Sequence, residues 1–248
     1  MGARTLFKIV AAAVLCAGAP PALAQSVVVD LSHREVAIST GFTGEQLLLF
    51  GATEGAGDIV VTVTGPRREE VVRRKERVAG IWVNGASMTF PDAPAYYRVA
   101  ASRPLSEIAD EKDLRRLRIG SERLALEARL PEDRNAVAEF RRAFIRNKQH
   151  LDLYGSKTGH ISINSGRLFR TSILFPANVP TGEYQVAVFL FKHGRLVSLE
   201  TTPLRVRKVG LEAQIFSFAN EHAPWYGAIA IAIALLAGWL AGIVFRRN

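Results

Sequence analysis

Gly182-Glu183-Tyr184-Gln185-Val186-Ala187-Val188 alternates apolar and polar residues directly after Pro180. That period of two is the mark of a strand with one buried face. His193-Gly194 then turns the chain into a second apolar run at residues 196–199. A Gly-x-Tyr-x-Val strand behind a proline-marked corner is the pattern of the penultimate strand of an immunoglobulin-like sandwich, whose tyrosine closes the corner. Leu204, Val206 and Val209 carry the chain onward from there.

The same texture fills residues 27–101. Val27-Val28-Val29 opens it, Glu35-Val36-Ala37-Ile38-Ser39 alternates, and Ile59-Val60-Val61-Thr62-Val63-Thr64 is β-branched throughout. The run at 46–50 is apolar enough to be buried, and 70–83, 88–90 and 96–101 read as further strands. Gly41, Gly44, Gly51, Gly55, Gly57 and Gly65-Pro66 punctuate them as turns. The reading is a mostly β protein, an immunoglobulin-like antiparallel β-sandwich. A helical insertion interrupts it at about 104–150. Pro104 suits a first helical position, Glu132 to His150 is the best helix, and Val137, Phe140 and Phe144 form its apolar stripe. Leucines 124, 126 and 130 suit either helix or strand.

The ends assign a compartment. Arg4 and Lys8, the apolar residues 9–17 and the Ala22-Leu23-Ala24 box have the three parts of a secretory signal cleaved after Ala24. Cys16, preceded by Leu15 where a lipobox wants a small residue, leaves with the signal, and disulfide, thiolate-metal and cysteine-nucleophile chemistry go with it. Residues 225–245 carry no charge, enough for a helix of about 30 Å and a bilayer's hydrocarbon core. They read as one C-terminal transmembrane helix, with Trp225 and Tyr226 as anchors at one membrane interface and Arg246 and Arg247 at the other. The expected organisation is therefore a signal at 1–24, a periplasmic sandwich at 25–222, the span at 225–245 and a cytoplasmic tail at 246–248. This places the chain as single-pass in the inner membrane, with its bulk in the periplasm and its C-terminus in the cytoplasm.

Charge narrows the partners. The formal net charge is +9. Removing Arg4 and Lys8 leaves +7, and setting aside Arg246 and Arg247 leaves +5 on the exported domain. An exported domain rarely meets nucleic acid, so anionic lipid is the more plausible counterpart. On a strand, Arg73, Lys75 and Arg77 point the same way and form a cationic stripe, a candidate anion-binding site; the bland alternative is pairing with Glu69, Glu70 and Glu76 nearby. A second basic row, Arg134, Arg141 and Lys148 with Arg142 and Arg146, lies along the long helix opposite its apolar stripe. On the C-terminal segment, Ala230, Ala234, Gly238 and Gly242 recur every four residues, a small-residue face that lets another helix approach closely, either a second copy or an integral membrane partner.

Catalytic patterns are poor. The five histidines lack metal-ligand spacing, Lys157-Thr158-Gly159 has no Ser-x-x-Lys to serve, and the glycines at 51–57 precede no Gly-Lys-Thr/Ser. Asp110 and Asp113 are the nearest approach to an acid–base pair. No catalytic residue, metal or cofactor is assigned.

With these residues in view the chain resembles the alphaproteobacterial putative transmembrane protein family. The resemblance rests on Gly41-Phe42-Thr43-Gly44, on Val72-Arg73-Arg74-Lys75-Glu76-Arg77 running into Gly80-Ile81-Trp82-Val83-Asn84, and on Ser102-Arg103-Pro104-Leu105. It extends through Leu168-Phe169-Arg170, Phe175-Pro176-Ala177-Asn178-Val179-Pro180, Val206-Arg207-Lys208-Val209-Gly210-Leu211-Glu212 and Ala237-Gly238-Trp239-Leu240-Ala241-Gly242. The resemblance implies a signal, an extracytoplasmic domain and one C-terminal span, with no assigned activity. The functional expectation is a non-enzymatic accessory protein packed on an integral membrane partner such as a transporter. The alternative is a periplasmic binding module for an anionic ligand or lipid headgroups.

Overall fold

A computed structural model describes residues 27–129, 134–210 and 223–245. The signal, Arg246 and Arg247 lie outside the described residues. Twelve strands and four α-helices are described. The first four strands are β1 (Val27–Leu31), β2 (Glu35–Ile38), β3 (Gly44–Thr53) and β4 (Asp58–Thr64). A long pair, β5 (Arg67–Val78) and β6 (Ile81–Pro94), precedes β7 (Tyr97–Ala101). Helices α1 (Leu105–Ile108), α2 (Glu111–Arg116) and α3 (Arg134–His150) follow, with a 3-10 turn at Ser121–Arg123. The sheet resumes with β8 (Gly159–His160), β9 (Ser162–Asn164), β10 (Leu168–Pro176), β11 (Gly182–Lys192) and β12 (Arg195–Lys208), and α4 spans Ala223–Phe245.

Two sheets face each other. One has the order β1-β3-β10-β9, the other β2-β12-β11-β4-β7-β8. Leu47 and Leu49 of β3 with Phe169, Ile173 and Phe175 of β10 meet Val61, Val63, Tyr184, Val186 and Leu204 in one buried core. Each fully buried aliphatic or aromatic side chain there contributes roughly 1.5–3 kcal/mol. The β-branched run of β4 has a further cause. Its other face buries Val60 beside Phe189 and Phe191 under Ile108, Leu114 and Ile119 of the helical insertion and the loop after it. A strand covered on both faces needs no polar alternation.

Tyr184 closes the corner: its hydroxyl donates to the Pro180 carbonyl at 2.5 Å. Its ring packs edge-on against Tyr96 and Phe175, at 5.5 and 5.7 Å between centroids. Gly65 is required beneath them, because a Cβ there would fall 2.9 Å from the Tyr96 Cβ.

Several expectations need correction. The sandwich is not wholly antiparallel, since β2 runs parallel to β12 and β8 parallel to β7. Only three residues separate β1 from β2, so the chain steps from one sheet to the edge of the other instead of reversing beside itself. The run at 46–50 is not buried throughout: Leu47 and Leu49 face the core, while Leu48 and Phe50 are exposed. The stretch 70–83 is a strand, a turn and a second strand, because Ala79 and Gly80 both have positive φ, 48° and 86°.

The largest correction concerns the C-terminal transmembrane helix. Among the described residues no helix is long and apolar enough to cross a membrane. The chain is helical at Ala223–Phe245. The expected transmembrane span is not supported, and the segment is a C-terminal helix.

Candidate functional site

The pair β5–β6 belongs to neither sheet of the sandwich. Its two halves have different surroundings. Toward the sandwich, α3 covers one face. Phe144 lies 5.6 Å from Phe90 between centroids, and Phe140 and Val72 are buried with them. Lys148, almost wholly buried, donates to Glu70 at 2.6 Å and sits over the Phe144 ring. About two and a half helical turns earlier, Arg74 pairs with Glu139 at 2.6 Å and lies over Phe140. Arg129 reaches Glu69 at 2.7 Å, and Arg67 reaches Asp92 at 2.7 Å. The acids of this half are thus committed to partners.

Beyond Arg74 the hairpin leaves the helix. A register shift between Arg73 and Lys75 places the extra residue on β6, so β5 keeps its alternation. Arg73 stands opposite Ser87, Lys75 opposite Asn84 and Arg77 opposite Trp82. The three cations therefore share one face, and their cross-strand neighbours carry no negative charge. Glu76 projects from the other face and folds against Gly85. Among the described residues Arg73 and Lys75 have no ion-pair partner, and Arg77 donates only to the Gly80 carbonyl at 3.3 Å. The proposed pairing of this stripe with neighbouring glutamates is overturned, because Glu69 and Glu70 are held by Arg129 and Lys148.

The hairpin ends in a two-residue turn at Ala79-Gly80, whose positive φ values match the twist of a tight hairpin. Beside it Val78, Ile81 and Trp82 are 57%, 69% and 65% exposed. Trp82 stands on the cationic face, and Val78 and Ile81 form a cross-strand pair on the other. Sequence reasoning missed this apolar tip. The signal was Ile81-Trp82-Val83 directly after Ala79-Gly80, hidden because alanine is a poor marker of such a turn.

The remaining predicted positions are less converged. Ala234, Gly238 and Gly242 are exposed along α4, and Ala230 lies on the same helix. Trp225 and Tyr226 fall in its first turns. The basic row on α3 is corrected: Lys148 is turned inward, and Arg141 donates to the Glu122 and Leu124 carbonyls, while Arg142 and Arg146 remain exposed. The heptad row fails as a solvated face because the hairpin and the loop at 122–124 cover it.

Chemistry finds little purchase elsewhere. Asp113 pairs with Arg116 at 3.0 Å. Arg123 hydrogen-bonds Glu111 and holds its carboxyl below the usual range. Burial pushes the Tyr96, Tyr154 and Tyr184 hydroxyls upward. The Tyr97 hydroxyl rises to about 12 by burial, opposed by the Gly120 N–H that it accepts at 2.9 Å. These are neutral hydrogen-bonding anchors. Among the described residues no group of three His, Cys, Asp or Glu side chains is placed to hold a metal. A second exposed feature is an open groove of about 410 Å³ on the outer face of the four-stranded sheet, lined by Val28, Phe50, Leu168 and Arg170.

Comparison with curated proteins finds no match. The sequence stretches around the cationic hairpin, the β10 corner and the C-terminal helix fall together within one match that runs over residues 26–247, and by it the chain belongs to the family described as "Putative transmembrane protein".

Proposed function

We propose that the protein is a non-enzymatic accessory protein, exported to the periplasmic side of the inner membrane, that works by contact through its hairpin. The hairpin face bearing Arg73, Lys75 and Arg77 engages an anionic ligand. One observation carries this reading: three exposed cations stand in a row opposite Ser87, Asn84 and Trp82, and the acid farther down the same face of β5, Glu69, is held by Arg129. Like charges held side by side raise the local potential and attract a counter-charge from outside the chain. Membership of a family named as transmembrane supports a site of action at a membrane.

Full-length protein in a neutral detergent, passed over a phosphate-bearing resin, tests the reading. The substitutions Arg73→Gln, Lys75→Gln and Arg77→Gln together should lower the eluting salt concentration well below that of the parent protein. Elution at the same salt would overturn the assignment to this face, because the other basic residues would then account for retention.

A further inference from the structure

We propose that the hairpin tip is a lipid-insertion element, which seats Trp82 at the headgroup level of a bilayer containing anionic lipid. The proposal rests on the anion-binding reading of the same hairpin and adds the identity of the counterpart. Exposed apolar side chains are common one at a time, but Val78, Ile81 and Trp82 are gathered within five residues around one turn. They stand at the end that α3 does not reach, where β5–β6 is exposed on both faces. Among the described residues no side chain of the sandwich covers them.

A protein partner fits this tip less well than a lipid surface. Three apolar side chains at the end of a two-stranded ribbon fall short of the roughly 800 Å² per partner that a stable protein interface buries. A bilayer needs no such area, since it closes around whatever enters it. The order of residues along the ribbon also suits it. Trp82 lies opposite Arg77, with Lys75 and Arg73 behind them on the same face. Rings of this kind favour the zone between headgroup and acyl chain, and long cationic side chains reach back to phosphate. Each basic residue near an anionic surface strengthens association roughly fivefold, so the row of three contributes on the order of a hundredfold.

The depth is limited by the backbone. A two-stranded ribbon leaves its outward N–H and C=O groups unpaired on each edge, and hydrocarbon would not satisfy them. The tip therefore stops at the interface, with the ring of Trp82 below the phosphates and the strands among them.

The test uses the full-length chain with Trp225→Phe and Trp239→Phe, which leaves Trp82 as the single tryptophan of the original three. The protein is reconstituted into vesicles of phosphatidylcholine alone or with about a third phosphatidylglycerol, and Trp82 emission is read in each. Insertion predicts a blue shift in the anionic vesicles, stronger quenching by bromine placed near the headgroup than by bromine deep in the acyl chain, and reversal by salt. Adding the three glutamine substitutions should abolish the shift while thermal unfolding is unchanged. Trp82 emission that is the same in both vesicles overturns the insertion. If resin retention still depends on Arg73, Lys75 and Arg77, only the insertion fails; if neither signal appears, both readings fail. A shift that needs co-extracted membrane protein and is absent from pure lipid assigns the tip to a protein partner and likewise overturns the lipid proposal.

Discussion

The two halves of the β5–β6 hairpin are built from the same residue types and end in opposite states. In the half beside α3 the acids are paired, Glu69 with Arg129 and Glu70 with Lys148, and Arg74 reaches Glu139 on the helix. From Arg73 outward the cations of one face have no acidic partner among the described residues, and apolar groups are left in water. The same alternation produced both halves. What separates them is whether a helix lies against the strand, a fact of tertiary packing that local pattern does not contain. An ion pair under a helix holds the fold together, whereas an unpaired row outside it is available to something else.

The contrast can be broken first at the embedded half. Lys148→Met should destabilise the protein by about 1–3 kcal/mol, because it leaves the half-buried Glu70 without its counter-charge. Adding Glu70→Leu should restore much of that loss, and urea unfolding of the single and double variants measures it. A loss under about 1 kcal/mol would mean that the base of the hairpin is no better anchored than its tip. The second test is alkaline pH. The Tyr97 hydroxyl titrates near 10 when unfolded and at about 12 when folded, so the folded state keeps the proton longer. Its contribution is complete below pH 10 and is lost as pH rises toward about 12, at roughly 1.4 kcal/mol per unit. Unfolding free energies between pH 9 and 12 should fall accordingly, and Tyr97→Phe should flatten part of the slope. The exposed tip has no such buried hydroxyl.

How much of this was legible follows the same division. The Tyr184 corner was readable because local alternation and Pro180 fix it, and its hydroxyl meets the Pro180 carbonyl. The shared face of Arg73, Lys75 and Arg77 was readable because a strand's period is two. The inward turn of Lys148 was not: its heptad spacing matched a solvated row, and only the hairpin laid across α3 reverses it. The parallel edge pairing of β2 with β12 joins residues about 170 apart, beyond the reach of any local signal. Leu48 and Phe50 looked like core by hydrophobicity, yet the pleat sends alternate residues outward whatever their chemistry.

A smaller effect sharpens the contrast at the tip. Ala79 holds φ at 48°, a region that asparagine tolerates and alanine resists. Ala79→Asn should therefore stabilise the turn by about 0.5–1 kcal/mol. Because the distal ribbon makes few contacts with the rest, the gain should appear as slower amide exchange at Val78 and Ile81 and hardly at all in global unfolding. An equal gain in global stability would show that the tip folds as one unit with the sandwich.

The smallest expected change is the most telling. Replacing Arg73, Lys75 and Arg77 together with glutamine should leave the unfolding free energy within about 0.5 kcal/mol of the parent, with any shift toward greater stability. Exposed ion pairs contribute little in any case, and here none is lost, since the row faces Ser87, Asn84 and Trp82. Removing adjacent like charges relieves repulsion instead. Lys148→Met and this triple variant are thus matched opposites around one hairpin, the first removing a single charge from the helix packed on it and the second three from its free face. A destabilisation by the triple variant approaching that of Lys148→Met would mean that the row has a partner within the chain. The cations would then belong to the fold, and the distinction between an embedded and a free half would disappear.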